Sequence, residues 1–236
     1  MVFGGIQKVT LLDYPEKTAC TLFTTGCNFR CHYCQNSSLI ETNIAEKPDA
    51  ENQAGSISEI LEYLKTRQGL LDGVCISGGE PLLHDDLQDF IGDVKEMGFL
   101  IKLDTNGSIP NELKELMSSG MIDYVAMDIK NTPEKYALTV GLPDFDISSV
   151  EESVDILMSS PISYEFRTTV VREFHNADDL ISIARWISGA EKYYLQGFIN
   201  STEVLKSGLH GYSNEEMHRF LDKVKELLPA AELRGI

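Results

Sequence analysis

Three cysteines stand within eight residues of this 236-residue sequence, in the run Gly26-Cys27-Asn28-Phe29-Arg30-Cys31-His32-Tyr33-Cys34-Gln35-Asn36. Their spacing is C-x3-C-x2-C. Thiolates this close can converge on one metal centre, and their softness favours zinc or an iron–sulfur cluster. Zinc needs a fourth ligand, for which His32 or a remote histidine could serve. Three cysteines without a fourth would instead leave one iron of a four-iron cluster open to a substrate or cofactor. The other two, Cys20 and Cys75, fall inside strand-like apolar runs and read as small buried hydrophobes. A chain of this length does not need disulfide staples, so five cysteines point to a reducing, cytoplasmic setting.

Composition narrows the partners. With 20 Lys+Arg against 37 Asp+Glu the net charge is -17, so there is no basic stripe to neutralise phosphates and nucleic-acid binding is not expected. Residues 1–47 carry four residues of each sign, so the whole excess of negative charge lies downstream of the cysteine run. No segment approaches the ~20 apolar residues of a spanning helix, and neither a signal peptide nor a membrane anchor is expected. Residues 1–236 read as one domain large enough to bury a complete core without metal or partner.

Around the cysteine run, short β-rich segments alternate with amphipathic helices. Thr18 to Thr25, Leu71 to Ser77, Phe99 to Asp104, Tyr124 to Ile129, Ser163 to Val171 and Tyr193 to Gln196 read as strands. Between them Ile57, Ile60, Leu61 and Leu64, then Leu87, Phe90, Ile91 and Val94, then Met217, Phe220, Leu221, Val224 and Leu228 recur at helical spacing. Ser56 with Glu59, Ser148 with Glu151 and Ser213 with Glu216 are capping boxes, and Pro133 after Thr132 marks another helix start. Strand then helix, about six times over, predicts an α/β fold with a parallel sheet. That sheet could be an open doubly wound one or a barrel.

The faces of the strands favour the barrel. Fully buried parallel strands are apolar on both faces, yet Lys102 and Asp104 oppose Ile101 and Leu103, Asp128 and Lys130 oppose Met127 and Ile129, and Glu165 and Arg167 oppose Tyr164 and Phe166. Three strands each presenting charge on one face suit a partial (β/α)6 TIM-like barrel whose interior holds a polar ligand. The alternative for any one of them is an edge strand with a solvated face.

Here the sequence resembles a known family. Cys27, Cys31, Tyr33 and Cys34 follow the signature loop of the radical S-adenosylmethionine (SAM) superfamily, and Ser77-Gly78-Gly79-Glu80-Pro81 resembles its G-G-E-P turn. The resemblance implies that Cys27, Cys31 and Cys34 hold a [4Fe-4S] cluster whose fourth iron is chelated by SAM, and that reductive cleavage of SAM gives a 5'-deoxyadenosyl radical. It further implies that Gly78, Gly79 and Glu80 receive the methionine amino group. Leu103-Asp104-Thr105-Asn106-Gly107, Met127-Asp128-Ile129-Lys130 and Phe166-Arg167-Thr168-Thr169-Val170 resemble strands of glycyl-radical-enzyme activases. By that analogy Asp128 and Lys130 contact the SAM ribose and carboxylate, Asp104 and Thr105 position the sulfonium side, Tyr33 and Gln35 border the adenine, and Arg167 joins the cofactor site. A buried salt-bridge network is the alternative reading of these polar residues.

The opening from Ile6 to Cys34, with Leu12-Asp13-Tyr14-Pro15, is most similar to activating proteins of anaerobic ribonucleoside-triphosphate reductase. That similarity implies a radical SAM oxidoreductase acting on a glycyl radical enzyme, with an external electron donor such as flavodoxin or ferredoxin. Activation of a lyase, or direct action on a small molecule or peptide, stays open. Two departures stand out: Gln196 occupies the stretch where related activases carry a SAM-contacting histidine, and the ferredoxin-like insertion with eight extra cysteines is absent. Of the other groups, His84, His175, His210 and His218 read as solvated surface, Trp186 as packing, and Asp85, Asp86 and Asp89 as an acidic helix start.

Overall fold

The computed structural model describes residues 1–41 and 55–236. Eight strands lie in one sheet in the order β1 to β8: β1 (Phe3–Thr10), β2 (Ala19–Thr24), β3 (Gly73–Gly78), β4 (Leu100–Thr105), β5 (Tyr124–Asp128), β6 (Ser163–Val170), β7 (Tyr193–Gly197) and β8 (Ala231–Arg234). Pairing is parallel from β2 through β4 and from β6 through β8, whereas β1 runs antiparallel to β2. A doubly wound sheet must reverse its strand order at a switch point. This order never reverses, so the topology is that of a barrel-type α/β fold.

The helices are α1 (Ile57–Lys65), α2 (Leu87–Glu96), α3 (Pro110–Ser118), α4 (Pro133–Val140), α5 (Ser148–Met158), α6 (Ala177–Trp186) and α7 (Asn214–Lys225). Ser56 and Ser213 form the expected capping boxes with Glu59 and Glu216. Ser148 does not. It is the first residue of α5, and its N–H donates to Asp146 Oδ1 at 3.0 Å instead. An unforeseen box, Asn176 with Asp179, starts α6. Among the described residues no helix is long and apolar enough to cross a membrane.

The chain divides into two compact units that interleave in sequence. The first comprises Met1–Asn28, Ser38–Thr105 and Asn111–Val125, with Leu22, Val74, Ile76, Ile101 and Leu103 of its strands buried with Ile60, Leu64, Ile91 and Val94 of α1 and α2. At its start the Met1 ammonium pairs with Asp86, so that carboxylate serves the chain terminus rather than the helix dipole alone. The second comprises Phe29–Ser37, Asn106–Pro110 and Ala126–Ile236, its core built on Tyr136, Phe166, Leu180, Tyr193 and Met217.

Both strands missing from the sequence reading are edges. Strand β1, with paired glycines followed by Gln7 and Lys8, has no apolar alternation, and its register against β2 is broken twice. Strand β8 has four residues, too few for a period to show, yet it matters. Arg234 forms two hydrogen bonds with Glu165, at 2.6 and 3.1 Å, and lies over the Tyr194 ring at 3.7 Å. Glu165 is fully buried and Lys102 nearly so, so neither β4 nor β6 is the solvated edge strand that was the alternative to a polar interior.

Candidate active site

In the first unit the chemistry gathers at the C-terminal ends of β2, β3 and β4. Strand β3 ends at Gly78, whose φ of +110° is open to glycine but strained for other residues. The turn then passes against the start of the cysteine run: Gly79 N–H donates to Thr24 O at 2.9 Å and Glu80 N–H to Gly26 O at 2.8 Å. A Cβ on Gly79 would stand 2.0 Å from Gly26 O, so only glycine lets the two backbones approach this closely. Glu80 is buried, and its Oε1 accepts from Leu82 N–H at 3.1 Å and Thr105 Oγ1 at 2.9 Å. The carboxylate of Asp104 accepts from Ser77 Oγ at 3.2 Å and pairs with Lys102. Gly78, Gly79, Glu80, Asp104 and Thr105 are therefore brought together at this end of the sheet. Cys27, half-buried, is held by N–H donation to Ile40 O at 3.2 Å.

Cys31 and Cys34 belong to the second unit, in a tight turn closed by Cys34 N–H to Cys31 O at 3.0 Å. The segment after β7 straps this turn: Leu205 N–H donates to Cys34 O, Lys206 N–H to His32 O, Gln35 Nε2 to Ile199 O and Ser37 Oγ to Glu203 O, at 2.6 to 3.2 Å. Phe174 stacks on the His32 ring with centroids 5.7 Å apart. Nothing in residues 199–206 signals this role, because main-chain donors and acceptors have no sequence signature. Burial raises the Cys34 thiol above its ordinary value.

Asp128 lies at the end of β5 between two cations: Oδ1 accepts from Arg167 Nε at 2.9 Å and Oδ2 from Lys130 Nζ at 2.8 Å. This is the salt-bridge network named above as the alternative reading, and it also fixes where the three groups point. Burial pushes the Lys130 ammonium down, but the Asp128 carboxylate, Cys31 and Tyr33 together outweigh it and hold the group well above its ordinary value. The main chain of Lys130 is clamped as well, since its N–H donates to Tyr136 Oη at 3.3 Å and its carbonyl accepts from Tyr33 Oη at 3.4 Å and from His175 Nε2 at 2.8 Å. Tyr33 is buried among Val171, Phe198 and Leu209, while Gln35 is exposed.

Two histidines depart from the expected solvated surface. His84 is half-buried with Nε2 2.9 Å from Thr25 O. His175 is buried, and because Nδ1 accepts from Val171 N–H at 3.1 Å, the ring proton sits on Nε2 and bonds Lys130 O. A histidine just after a strand looks like a loop residue; here the Tyr33 ring lies edge-on to it and Tyr212 Oη donates to its carbonyl at 2.6 Å. Burial lowers the His175 pKa below its ordinary 6.5. The unfolded chain therefore takes up a proton first, and stability present above pH 6.5 is lost as pH falls towards the depressed native value. His84 shifts the same way, so the measurement is a difference: thermal unfolding of His175→Gln should lose stability less steeply than wild type below that pH. Equal slopes would show that His175 is not held neutral.

The residues fit a thiolate-held cluster by donor chemistry. None of the five cysteines is in a disulfide, and buried Thr25 Oγ1 and His32 Nδ1, which flank or lie within the run, have no hydrogen-bond partner. Among the described residues no three Cys, His, Asp or Glu side chains are already gathered at metal-binding distance. Neutral thiols gain nothing by converging, and metal binding both displaces their protons and supplies the driving force.

Comparison with known proteins agrees with this chemistry. The radical SAM superfamily model matches residues 21–187. A Methanocaldococcus jannaschii protein, to which the role of glycyl-radical enzyme activating enzyme is attributed, is 31% identical over 83% of this chain and 79% of its own length. A pyruvate formate-lyase-activating enzyme of Staphylococcus aureus is 29% identical over 72% of this chain and 69% of its own. The fold is shared with a domain of pyruvate formate-lyase-activating enzyme from Bacteroides vulgatus, at a TM-score of 0.56 and 18% identity over 69% of this chain and 99% of that one. Streptococcus suis SuiB bound to S-adenosylmethionine gives a TM-score of 0.66 at 13% identity over 90% of this chain, which spans about half (49%) of SuiB. The chain is thus a member of the radical SAM superfamily, in the family of glycyl-radical-enzyme activating enzymes, which work with a [4Fe-4S] cluster and SAM.

Proposed function

We propose that this protein installs a glycyl radical on a large partner enzyme, an anaerobic ribonucleotide reductase, with an electron supplied by a separate flavodoxin or ferredoxin, and that residues 1–236 act as one radical SAM domain in the reducing cytoplasm. The observation that carries the reading is the seating of Gly79 and Glu80 against Thr24 and Gly26 at the start of the cysteine run. It ties the candidate amino-group acceptor to the loop that supplies the thiolates. When bound, the cluster supplies the electron and SAM the radical that abstracts hydrogen. Cys27, Cys31 and Cys34 would hold the cluster; Gly78, Gly79, Glu80, Asp104, Thr105, Asp128, Lys130 and Arg167 would hold SAM, with Tyr33 and Gln35 at the adenine.

This chain's own part is orientation. Glu80 offers a buried carboxylate to an ammonium, and such a charge-assisted bond is strongest where water is excluded. Asp128, pinned between Arg167 and Lys130, cannot swing away from a hydroxyl pair. Glu80→Gln keeps an oxygen for Leu82 N–H and Thr105 while removing the charge. The cluster should form normally and SAM binding should weaken roughly tenfold or more, as loss of a charge-assisted bond implies. Unchanged affinity by titration would remove Glu80 from the site.

The test of the reaction is electron paramagnetic resonance. Reduced, cluster-loaded protein with SAM and a ribonucleotide reductase from the same source should yield a glycyl doublet. The similarity to pyruvate formate-lyase-activating enzymes favours a second reading in which the partner is a lyase, and a doublet only on the lyase would establish it. No doublet on either, with turnover of a small molecule or peptide, would overturn the activase reading.

A further inference from the structure

Lys102 lies in the middle of β4 and is 1% exposed, one of the largest fully buried side chains in the protein. A buried ammonium is costly unless paired. Its Nζ donates to Asp104 Oδ1 and stands 3.8 Å from Cys75 Sγ. The register that sets Cys75 opposite Lys102 places Cys75, Ser77, Lys102 and Asp104 on one face of β3 and β4. Cys75 is therefore not the purely apolar filler expected: it also approaches Asp104 Oδ1 at 3.6 Å. Ser77 Oγ donates to the other oxygen, Oδ2, at 3.2 Å. One residue further on, Thr105 Oγ1 ties β4 to Glu80. Two side-chain tethers thus join the C-terminal ends of β3 and β4, one through Glu80 and one through Asp104, and Lys102 anchors the second.

We propose that Lys102 is a positioning residue for SAM binding: a cation built into the strand that keeps Asp104 ionised and fixed in one orientation. A carboxylate held this way needs no reorganisation when a charged ligand arrives. The inference rests on the assignment of Asp104 to the SAM site made above. Lys102 itself touches the ligand at no point in this scheme. It works through Asp104, so its effect should vanish when Asp104 can no longer carry charge.

The experiment compares Lys102→Met, Lys102→Arg, Asp104→Asn and the Lys102→Met/Asp104→Asn double variant, each reconstituted anaerobically, by iron content, cooperative unfolding and titration with SAM. Lys102→Met should keep its iron and bind SAM about tenfold more weakly or worse, and Lys102→Arg should retain affinity within about threefold because the charge is restored. The double variant should bind SAM no more weakly than Asp104→Asn alone. If Lys102→Met fails to fold, that comparison still decides, because the double variant removes both charges of the Lys102–Asp104 pair. Unchanged or tighter binding by Lys102→Met, or a double variant about tenfold weaker than Asp104→Asn, would overturn the proposal. Cluster-loaded wild type that binds no SAM would overturn the SAM assignment itself, and the inference with it.

Discussion

Cys31→Ala should abolish cluster assembly and SAM cleavage while leaving a chain that unfolds cooperatively. Two thiolates cannot hold a four-iron cluster that is already short of one protein ligand, so the loss is complete rather than graded. Stability should change little. Cys31 is buried, but its side chain is one small sulfur, and deletion of so small a group costs about 1 kcal/mol. The turn around it is held by main-chain bonds that do not involve the thiol: Cys34 N–H to Cys31 O, Arg30 N–H to Val140 O, and the donors of Leu205 and Lys206. Phe29, two residues before it in the run, packs edge-on to Phe145 at 5.0 Å. Iron and sulfide analysis, the visible chromophore and a urea transition test the two halves separately. Loss of cooperative unfolding would mean that the metal centre holds the fold together, the behaviour of a structural zinc site rather than of a catalytic cluster.

Gly79→Ala should produce the larger structural effect. The new methyl carbon would stand 2.0 Å from Gly26 O and 2.7 Å from Gly26 C, both main-chain atoms that no rotamer change can move aside. Either β3 or the start of the cysteine run must shift, at about 3 kcal/mol or more. For a chain of this size that is a fall of roughly 6–12 °C in the unfolding midpoint. The bonds from Gly79 N–H to Thr24 O and from Glu80 N–H to Gly26 O would be displaced with it, so SAM affinity should fall together with stability. Gly92→Ala is the control. Gly92 lies inside α2 with nothing within 4 Å of a built Cβ, and alanine there should stabilise by about 0.5–1 kcal/mol through helix propensity. If the two variants behave alike, the close approach of the turn to the cysteine run is not what holds this site.

The charged strand faces are legible in the sequence because strand side chains alternate strictly: charge at Lys102 and Asp104, or at Glu165 and Arg167, must share a face opposite Ile101 or Phe166. What alternation cannot supply is the partner. Glu165 is satisfied by Arg234 from a four-residue strand at the far end of the chain, and Lys102 by Asp104 two residues away. The burial of His175 is invisible in the sequence for the same reason. Its ring lies against Tyr33 and bonds Lys130 O, both of which the chain brings to it from elsewhere, and no local pattern records that.

Residue type and spacing by themselves narrowed the chemistry: three soft candidate ligands in eight residues, a glycine pair before an acid, and a repeating strand and helix pattern that admits few folds. Those features are local, so each can be read from its own neighbourhood. The tertiary structure decided which charges neutralise one another, which main-chain atoms brace the cysteine turn, and that Gly79 must lack a Cβ because Gly26 O lies against it. These depend on contacts between segments far apart in the chain, whose energies exist only after the backbone has closed.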